Sequence, residues 1–292
     1  MHTTLQLRVD GLAMGMVYVF MASGFNLIMS VPRILFIAFG QFYVLGAFIT
    51  WYVTIPGEQN FFLGVLAGTV AAGLLGALVY VAVFRKIQFS ESQFLTNIIA
   101  GFGLMMILGQ VALMLFGTET RGIPTRFPGI IHLAGISVSR DKVVVIVISV
   151  LIIVLLHVFL QKTRMGRAMR AVSFNMDVAS LMGVNSDRMF LLAVAVGCGL
   201  AGLAGGLMAP IFAVSTAAAQ GGLLVLLVVM LGGVGSMFGA ILGGLVFGMA
   251  LSYGQYYIGS GQAQIAFFAV IAVVLLFRPG GILGKAQDEI PV

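Results

Sequence analysis

The sequence has few charged residues. Lys and Arg number 15 and Asp and Glu number 9, so that 8% of the 292 residues are charged while 61% are hydrophobic. A soluble domain has about 25% charged and about 45–50% apolar residues. The mean hydropathy is +1.14, and apolar runs are spread along the whole chain. This composition excludes a water-soluble protein and predicts a polytopic membrane protein.

Cysteine and histidine are scarce as well. The single cysteine, Cys198, lies in an apolar run, which excludes a disulfide framework and a cysteine metal cluster. The three histidines have no HExxH or HxxxH spacing, so we expect no metal site. The stretch 280–286 is one residue short of a phosphate-binding P-loop and lacks its Ser or Thr. We therefore predict that the chain is not an enzyme and has no ATP site of its own.

Nine apolar segments predict the fold. A bilayer core about 30 Å thick needs about 20 apolar residues per helical span. The segments start at about residues 10, 34, 61, 93, 143, 189, 220, 238 and 262. The predicted fold class is all-α: a polytopic integral membrane protein with about eight or nine transmembrane helices in one transmembrane domain, residues 1–292.

The distribution of cations predicts the orientation, because Lys and Arg are retained on the cytoplasmic side. If residues 161–188 are cytoplasmic, ten of the fifteen cations lie on that side and five on the other. The ten are Arg33, Arg85, Lys86, Lys162, Arg164, Arg167, Arg170, Arg188, Arg278 and Lys285. The opposite side then has a polar loop at about 117–142 and, with nine spans, the N-terminus.

The second segment and the glycines are open to two interpretations. Gly40 and Gln41 interrupt an apolar run, which favours either a broken helix at a permeation path or a regular helix with a tight crossing. Glycines at helical spacing, such as Gly202 with Gly206 and Gly244 with Gly248, predict close packing of helix backbones. The amides of Asn26, Gln41 and Asn97 either line a pathway or bond to a neighbouring helix.

The stretch from about 161 to 188 differs from the rest of the chain because it is polar and basic. Its second half is typical of a short amphipathic helix that begins near Asn175 or Asp177 and ends at Gly183. Val178, Leu181 and Met182 form its apolar face at i, i+3 and i+4. Such a helix can dock onto another protein, although a solvated loop would also explain the cations.

This stretch resembles the loop by which permeases of ABC importers bind their ATPase. Asp177-Val178-Ala179, three residues and Gly183 have the EAA---G spacing of that loop. More specifically, the stretches 163–172 and 181–188 resemble the loop of branched-chain amino-acid importer permeases. Further blocks run in order from Gly11 to Gly281, and length and motif order are similar to the shorter of that family's two paralogous permeases.

The resemblance implies a function and a set of partners. The chain would be the permease subunit of an ATP-driven importer for branched-chain amino acids or related solutes, in a bacterial inner membrane. It would pair with a longer paralogous permease, two cytoplasmic ATP-binding subunits and an extracytoplasmic solute-binding protein. ATP would be bound by the partners, so the chain itself needs no cofactor. The implied coupling residues are Arg167, Arg170, Asp177, Ala179, Leu181 and Gly183.

One departure from the family concerns the substrate. Where relatives have an Asn and a His in the second segment, this chain has Phe36 and Phe39. On a regular helix these rings share a face and can form an apolar wall. If that wall lines the pathway together with Asn26, Gln41 and Asn97, the substrate is an aromatic or hydrophobic carboxylate or amide; if not, the rings are only packing.

Two other classes of protein are alternatives. A stand-alone channel or secondary transporter typically has acids or histidine relays within its spans, whereas all nine acids here fall near span ends or in loops. An intramembrane enzyme needs a nucleophile with a base, or a metal pair, at membrane depth, and the sequence has no such arrangement.

Overall fold

The computed structural model describes residues 2–57, 60–88, 93–123, 130–133, 136–277 and 280–281. The helices are α1 (His2–Ser30), α2 (Phe39–Thr54), α3 (Phe61–Val79), α4 (Arg85–Ile87), α5 (Gln93–Phe116), α6 (Arg140–Lys162), α7 (Arg164–Phe174), α8 (Met176–Leu181), α9 (Ser186–Met208), α10 (Gly221–Gly232), α11 (Met237–Tyr257) and α12 (Ser260–Phe277). A π-helical turn, Tyr80–Phe84, joins α3 to α4, and a 3₁₀ turn, Thr216–Gln220, precedes α10.

The predicted all-α membrane fold is confirmed. Each of the nine predicted segments coincides with a helix, and six helices among the described residues are long and apolar enough to cross a membrane. The other three segments correspond to the shorter helices α2, α10 and α12, so the expected eight or nine crossings stay a prediction. The loop after α5 adds a small antiparallel sheet of β1 (Ile130–Leu133) and β2 (Ile136–Ser139), in which Ile130 lies opposite Ser139.

Two pairs of the long helices are antiparallel. Helix α3 is antiparallel to α9, because Val65 lies beside Gly206 and Gly76 lies beside Cys198. Helix α1 is likewise antiparallel to α11. Both pairs have the relative directions that the predicted orientation requires, since the positions of their members in the order of predicted spans differ by an odd number. Of the fifteen cations used for that prediction, Arg126, Arg278 and Lys285 lie outside the described residues.

Polar contacts are found at both ends of the bundle. At the end predicted to be extracytoplasmic, Lys142 forms an ion pair with Asp10, and the backbone of Arg121 pairs with that of Val214. The Arg121 guanidinium also lies 4.4 Å from the ring centroid of Trp51. At the other end, the Gln88 amide donates to the carbonyl of Pro32, 2.8 Å away.

Helices α1 and α9 form the centre of the fold. In their most apolar windows 78% of the residues are buried, compared with 11% in α5 and 17% in α6. Glycine makes this packing close: a Cβ on Gly46 would lie 2.2 Å from the carbonyl oxygen of Gly202, and one on Gly205 would lie 2.0 Å from that of Tyr43. The central helices therefore touch backbone to backbone, as the glycine spacing predicts.

The irregular part of the second segment lies before Gly40. Residues 31–38 are not helical, and Arg33 has a positive φ of 55°, whereas α2 runs from Phe39 without a break through Gly40 and Gln41. A Cβ on Gly40 would lie 2.1 Å from the carbonyl oxygen of Ala219. Of the two interpretations, the tight helix crossing is confirmed, and a break at Gly40 is wrong.

Candidate functional site

Residues 163–188, which we call the capped segment, form a series of short helices that begin with side-chain caps. The Thr163 hydroxyl accepts a hydrogen bond from the Gly166 amide at 3.0 Å and starts α7. The Asn175 side chain accepts from the amides of Asp177 and Val178 and starts α8. Asn185 caps α9 in the same way. Because these oxygens satisfy amides that a helix end leaves unpaired, the segment has a defined shape.

The C-terminal end of α8 depends on Gly183. The Gly183 amide donates to the carbonyl of Ser180 and the Val184 amide to that of Ala179, which is the hydrogen-bond pattern of a Schellman motif. Gly183 has φ = +81°, and a Cβ there would meet nothing within 4 Å. The requirement for glycine is therefore one of backbone conformation and not of space.

The apolar face of α8 points away from the rest of the chain. On α8 the exposed fractions are 54% for Val178 and 87% for Leu181, and next to it Phe174 at the end of α7 and Met182 just after α8 are 80% and 82% exposed. Ala179 is 4% exposed and packs against the protein. An apolar cluster of this kind on a rigid element is typical of a surface that binds another protein.

The structure places the six predicted coupling residues in one segment, but they differ in exposure. Arg167, Arg170, Asp177 and Leu181 are exposed and available to a partner. Ala179 is buried and Gly183 shapes the backbone, so these two residues position the helix. The Arg170 guanidinium donates to the carbonyl of Gln161 at 3.2 Å. Whether a partner touches these residues stays a prediction.

The capped segment is attached to the membrane helices through Asp187, in the first turn of α9. The carboxylate accepts a hydrogen bond from the Tyr80 hydroxyl at 3.0 Å and pairs with Arg85, also at 3.0 Å. Both partners lie on or next to the π-helical turn that joins α3 to α4. The wider turn lets residues five positions apart reach the same carboxylate, and it links the segment to the end of α3.

The three amides predicted for the pathway share no hydrogen-bond partner among the described residues. Asn26 Oδ1 accepts from the Gly235 amide at 2.8 Å, which attaches α1 to the turn between α10 and α11. Gln41 donates to the carbonyl of Met105 at 3.4 Å, on α5. Asn97 is buried, and its Oδ1 has no hydrogen-bond partner in the described part of the chain. For Asn26 and Gln41 the geometry is that of contacts between elements of the fold.

The aromatic wall predicted from Phe36 and Phe39 is not formed. Phe36 precedes the first residue of α2, so the two residues do not share a helix face. The Phe36 ring lies 5.3 Å from that of Phe84 and 5.4 Å from that of Phe42, whereas Phe39 packs against Phe25. Both rings are buried within the chain, at 1% and 0% exposure. A role in the pathway therefore stays a prediction, and this geometry gives it no support.

A cavity of about 530 Å³ lies elsewhere, in the half of the bundle that includes the Trp51 end. Its walls come from α1, α2, the end of α9 with the turns that follow it, α10, α11 and α12. Methionine, aromatic and small residues form most of the lining, which includes Met14, Tyr18, Met21, Tyr43, Met208, Phe212, Ala217, Gln255, Gln264 and Phe268. The volume is in the range of about 300–1,000 Å³ that is common for small-molecule sites.

None of these cavity residues is among the site residues predicted from the sequence. They come from six parts of the chain, and most are apolar residues that cannot be distinguished from lipid-facing ones by type. The signal that could have found them is the presence of amides in two mainly apolar segments, Gln255 in 238–257 and Gln262 and Gln264 in 262–277.

Comparisons with known proteins agree with the sequence resemblance. The profile of a family described as branched-chain amino acid transport system, permease component, matches residues 7–278. The high-affinity branched-chain amino acid transport system permease protein LivH of Escherichia coli (strain K12) is 27% identical over 301 residues, which cover 98% of this chain and 97% of LivH. The permease protein BraD of Pseudomonas aeruginosa is also 27% identical, with the same coverage.

A second kind of relative is longer. The permease protein LivM of Salmonella typhimurium is 23% identical over 313 residues, which cover 97% of this chain but 71% of LivM. The expected similarity to the shorter of two paralogous permeases is thereby confirmed. No solved structure matches the chain.

Proposed function

The chain belongs to the family of branched-chain amino acid transport system permease components, and from this premise we propose that it is one transmembrane subunit of an ATP-driven importer. It forms half of the translocation pathway, with a longer paralogous permease as the other half. Two cytoplasmic subunits bind ATP, and an extracytoplasmic binding protein delivers the solute. The chain itself binds no cofactor and catalyses no reaction.

The exposed apolar face of α8 is the observation that supports coupling. When the ATPase subunits close around bound ATP, their movement can reach the permease only through a rigid element of the chain. Helix α8 is such an element, because Asn175 fixes its start and Gly183 its end. The contact between Asp187, Tyr80 and Arg85 passes movement of the segment to α3. Sliding of the glycine-lined helices then shifts the equilibrium between the inward-facing and outward-facing conformations of the transporter.

Branched-chain amino acids are the first candidate solutes, because the relatives are named for their transport. Aromatic solutes are the second. Phe36 and Phe39 no longer support them, but the cavity walls contain the rings of Tyr18, Tyr43, Phe212 and Phe268.

A matched pair of substitutions tests the coupling proposal. In Leu181→Asp a carboxylate replaces the most exposed apolar side chain of α8, so we expect at least a tenfold loss of ATPase co-purification and of ATP-driven leucine uptake. Met165→Asp is the control, because Met165 is also exposed but lies in the first turn of α7, at the other end of that helix from α8. Both variants should be found in the membrane in equal amounts. Full uptake by Leu181→Asp would contradict the proposal.

A further inference from the structure

The cavity described above has polar groups but no charge. None of the described side chains that line it is acidic or basic. Methionines and rings supply most of the surface, and the small side chains of Ala213, Ala217 and Ala218 leave room for a ligand. The lining therefore suits an aliphatic or aromatic group, for which flexible methionines and flat rings make good contacts.

Two amides provide the hydrogen-bonding capacity of the cavity. Gln255 is near the end of α11 and Gln264 is in α12, and neither side chain bonds to another described residue. The hydroxyls of Tyr18 and Tyr43 likewise have no hydrogen-bond partner in the described part of the chain. Each amide has two N–H donors and one carbonyl acceptor. Gln264 is exposed and Gln255 is half-buried, so both amides are accessible to a ligand that enters the cavity.

The absence of charge in the lining selects against ionic solutes. A solute with a net positive or negative charge would lose its hydration without meeting an opposite charge, which is costly in an apolar site. A zwitterion or a neutral amide has both donors and acceptors and no net charge. Amides can pair with both ends of such a group, because they donate as well as accept.

We propose that this cavity is a solute-binding site that takes net-neutral solutes with an aliphatic or aromatic side chain. Gln255 and Gln264 bind the polar end of the solute, and the methionines and rings hold its side chain. The proposal rests on the importer function proposed above, and it assigns solute contact to residues other than Asn26, Phe36, Phe39, Gln41 and Asn97.

Cysteine labelling tests the site directly in membrane vesicles that contain the assembled transporter. The chain has one cysteine, the buried Cys198, so Cys198→Ala gives a cysteine-free background. Ala217→Cys then places an exposed thiol in the cavity wall. Ile258→Cys is the matched control, because Ile258 is exposed just beyond α11 and does not line the cavity. The probes are a methanethiosulfonate reagent with leucine, phenylalanine, lysine or glutamate, in the absence of ATP.

We expect leucine and phenylalanine to slow labelling of Ala217→Cys by about tenfold at a concentration about ten times Kd, and to leave Ile258→Cys unchanged. Lysine and glutamate should give no protection. Adding Gln255→Leu and Gln264→Leu should abolish protection without changing the labelling rate in the absence of solute. Absence of protection by all four solutes, or equal protection by lysine or glutamate, would overturn the proposal.

The labelling experiment and the uptake experiment can fail independently of each other. Protection requires neither ATP nor the apolar face of α8. If protection fails while ATP-driven uptake persists, only the cavity assignment is overturned. If protection is found but uptake needs no ATPase, the importer function is overturned and the binding site is retained.

Discussion

The central helices and the capped segment are stabilised in opposite ways. In the centre, glycines lie where the helices cross, so their backbones come into contact; these helices are α1, α2, α3, α9 and α11. In the capped segment, side chains are what holds the backbone, since Thr163, Asn175 and Asn185 each accept a bond from an unpaired amide. The difference implies that the centre tolerates almost no added atom, whereas the segment tolerates changes on its exposed face.

The largest expected effect is at Gly205, in the centre. In Gly205→Ala the new methyl group would lie 2.0 Å from the carbonyl oxygen of Tyr43, so α2 and α9 would have to separate. We expect a loss of about 3 kcal/mol or more in unfolding free energy. The measurement is the thermal unfolding midpoint in detergent, with the yield of monodisperse protein.

The control for this comparison is another helical glycine, Gly103 on α5. A Cβ added there would meet nothing within 4 Å, so Gly103→Ala should be neutral or should stabilise by about 0.5–1 kcal/mol. Equal unfolding midpoints for the two variants would contradict the idea that backbone contact holds the centre together.

An intermediate effect is expected where the two regions meet. Asp187→Ala removes the acceptor for the buried Tyr80 hydroxyl, which should cost about 1–3 kcal/mol. The ion pair contributes less, about 0–1 kcal/mol, because the Arg85 side chain is 55% exposed. Adding Tyr80→Phe to Asp187→Ala should recover part of the loss, since no hydroxyl is then left unpaired. A double-mutant cycle of Asp187→Ala and Tyr80→Phe, measured by thermal unfolding, gives the coupling energy between the two side chains. Purely additive effects of the two substitutions would show that this contact does not join the capped segment to the central helices.

The smallest effect is expected at the cap of α8. Asn175→Ala removes the acceptor for the amides of Asp177 and Val178 and should cost about 1 kcal/mol locally. Hydrogen exchange of these two amides should become about fivefold faster, while the unfolding midpoint stays unchanged. Asn175→Asp keeps an acceptor and serves as the control. A fall in the global midpoint would mean that the segment and the centre unfold as one unit.

The parts of the fold that follow local patterns could be predicted from the sequence. Apolar length predicted the helices, glycine spacing predicted the crossings, and the stretch from Asn175 to Gly183 predicted α8 and both of its ends. Each of these signals depends on residues close together in the chain. The cavity could not be predicted in this way, because Tyr43, Phe212 and Gln264 become neighbours only after the helices pack.

Phe36 and Phe39 illustrate the same limit. Their spacing suggests a shared face only if the helix extends through both, and the start of α2 at Phe39 removes that condition. Around that start, Gly40 packs against Gly222 and the Gln88 amide donates to the Pro32 carbonyl, and both partners are distant in the sequence. No pattern within residues 31–41 contains that information.

The contact between Arg121 and Trp51 gives the chain an optical reporter. Trp51 is the sole tryptophan of the sequence, so indole emission comes from one ring, in the last turns of α2. The guanidinium beside it makes that emission sensitive to displacement of either residue. Because the ring lies at the end of the bundle opposite the capped segment, a change in emission after nucleotide addition would report movement carried across the membrane by α2.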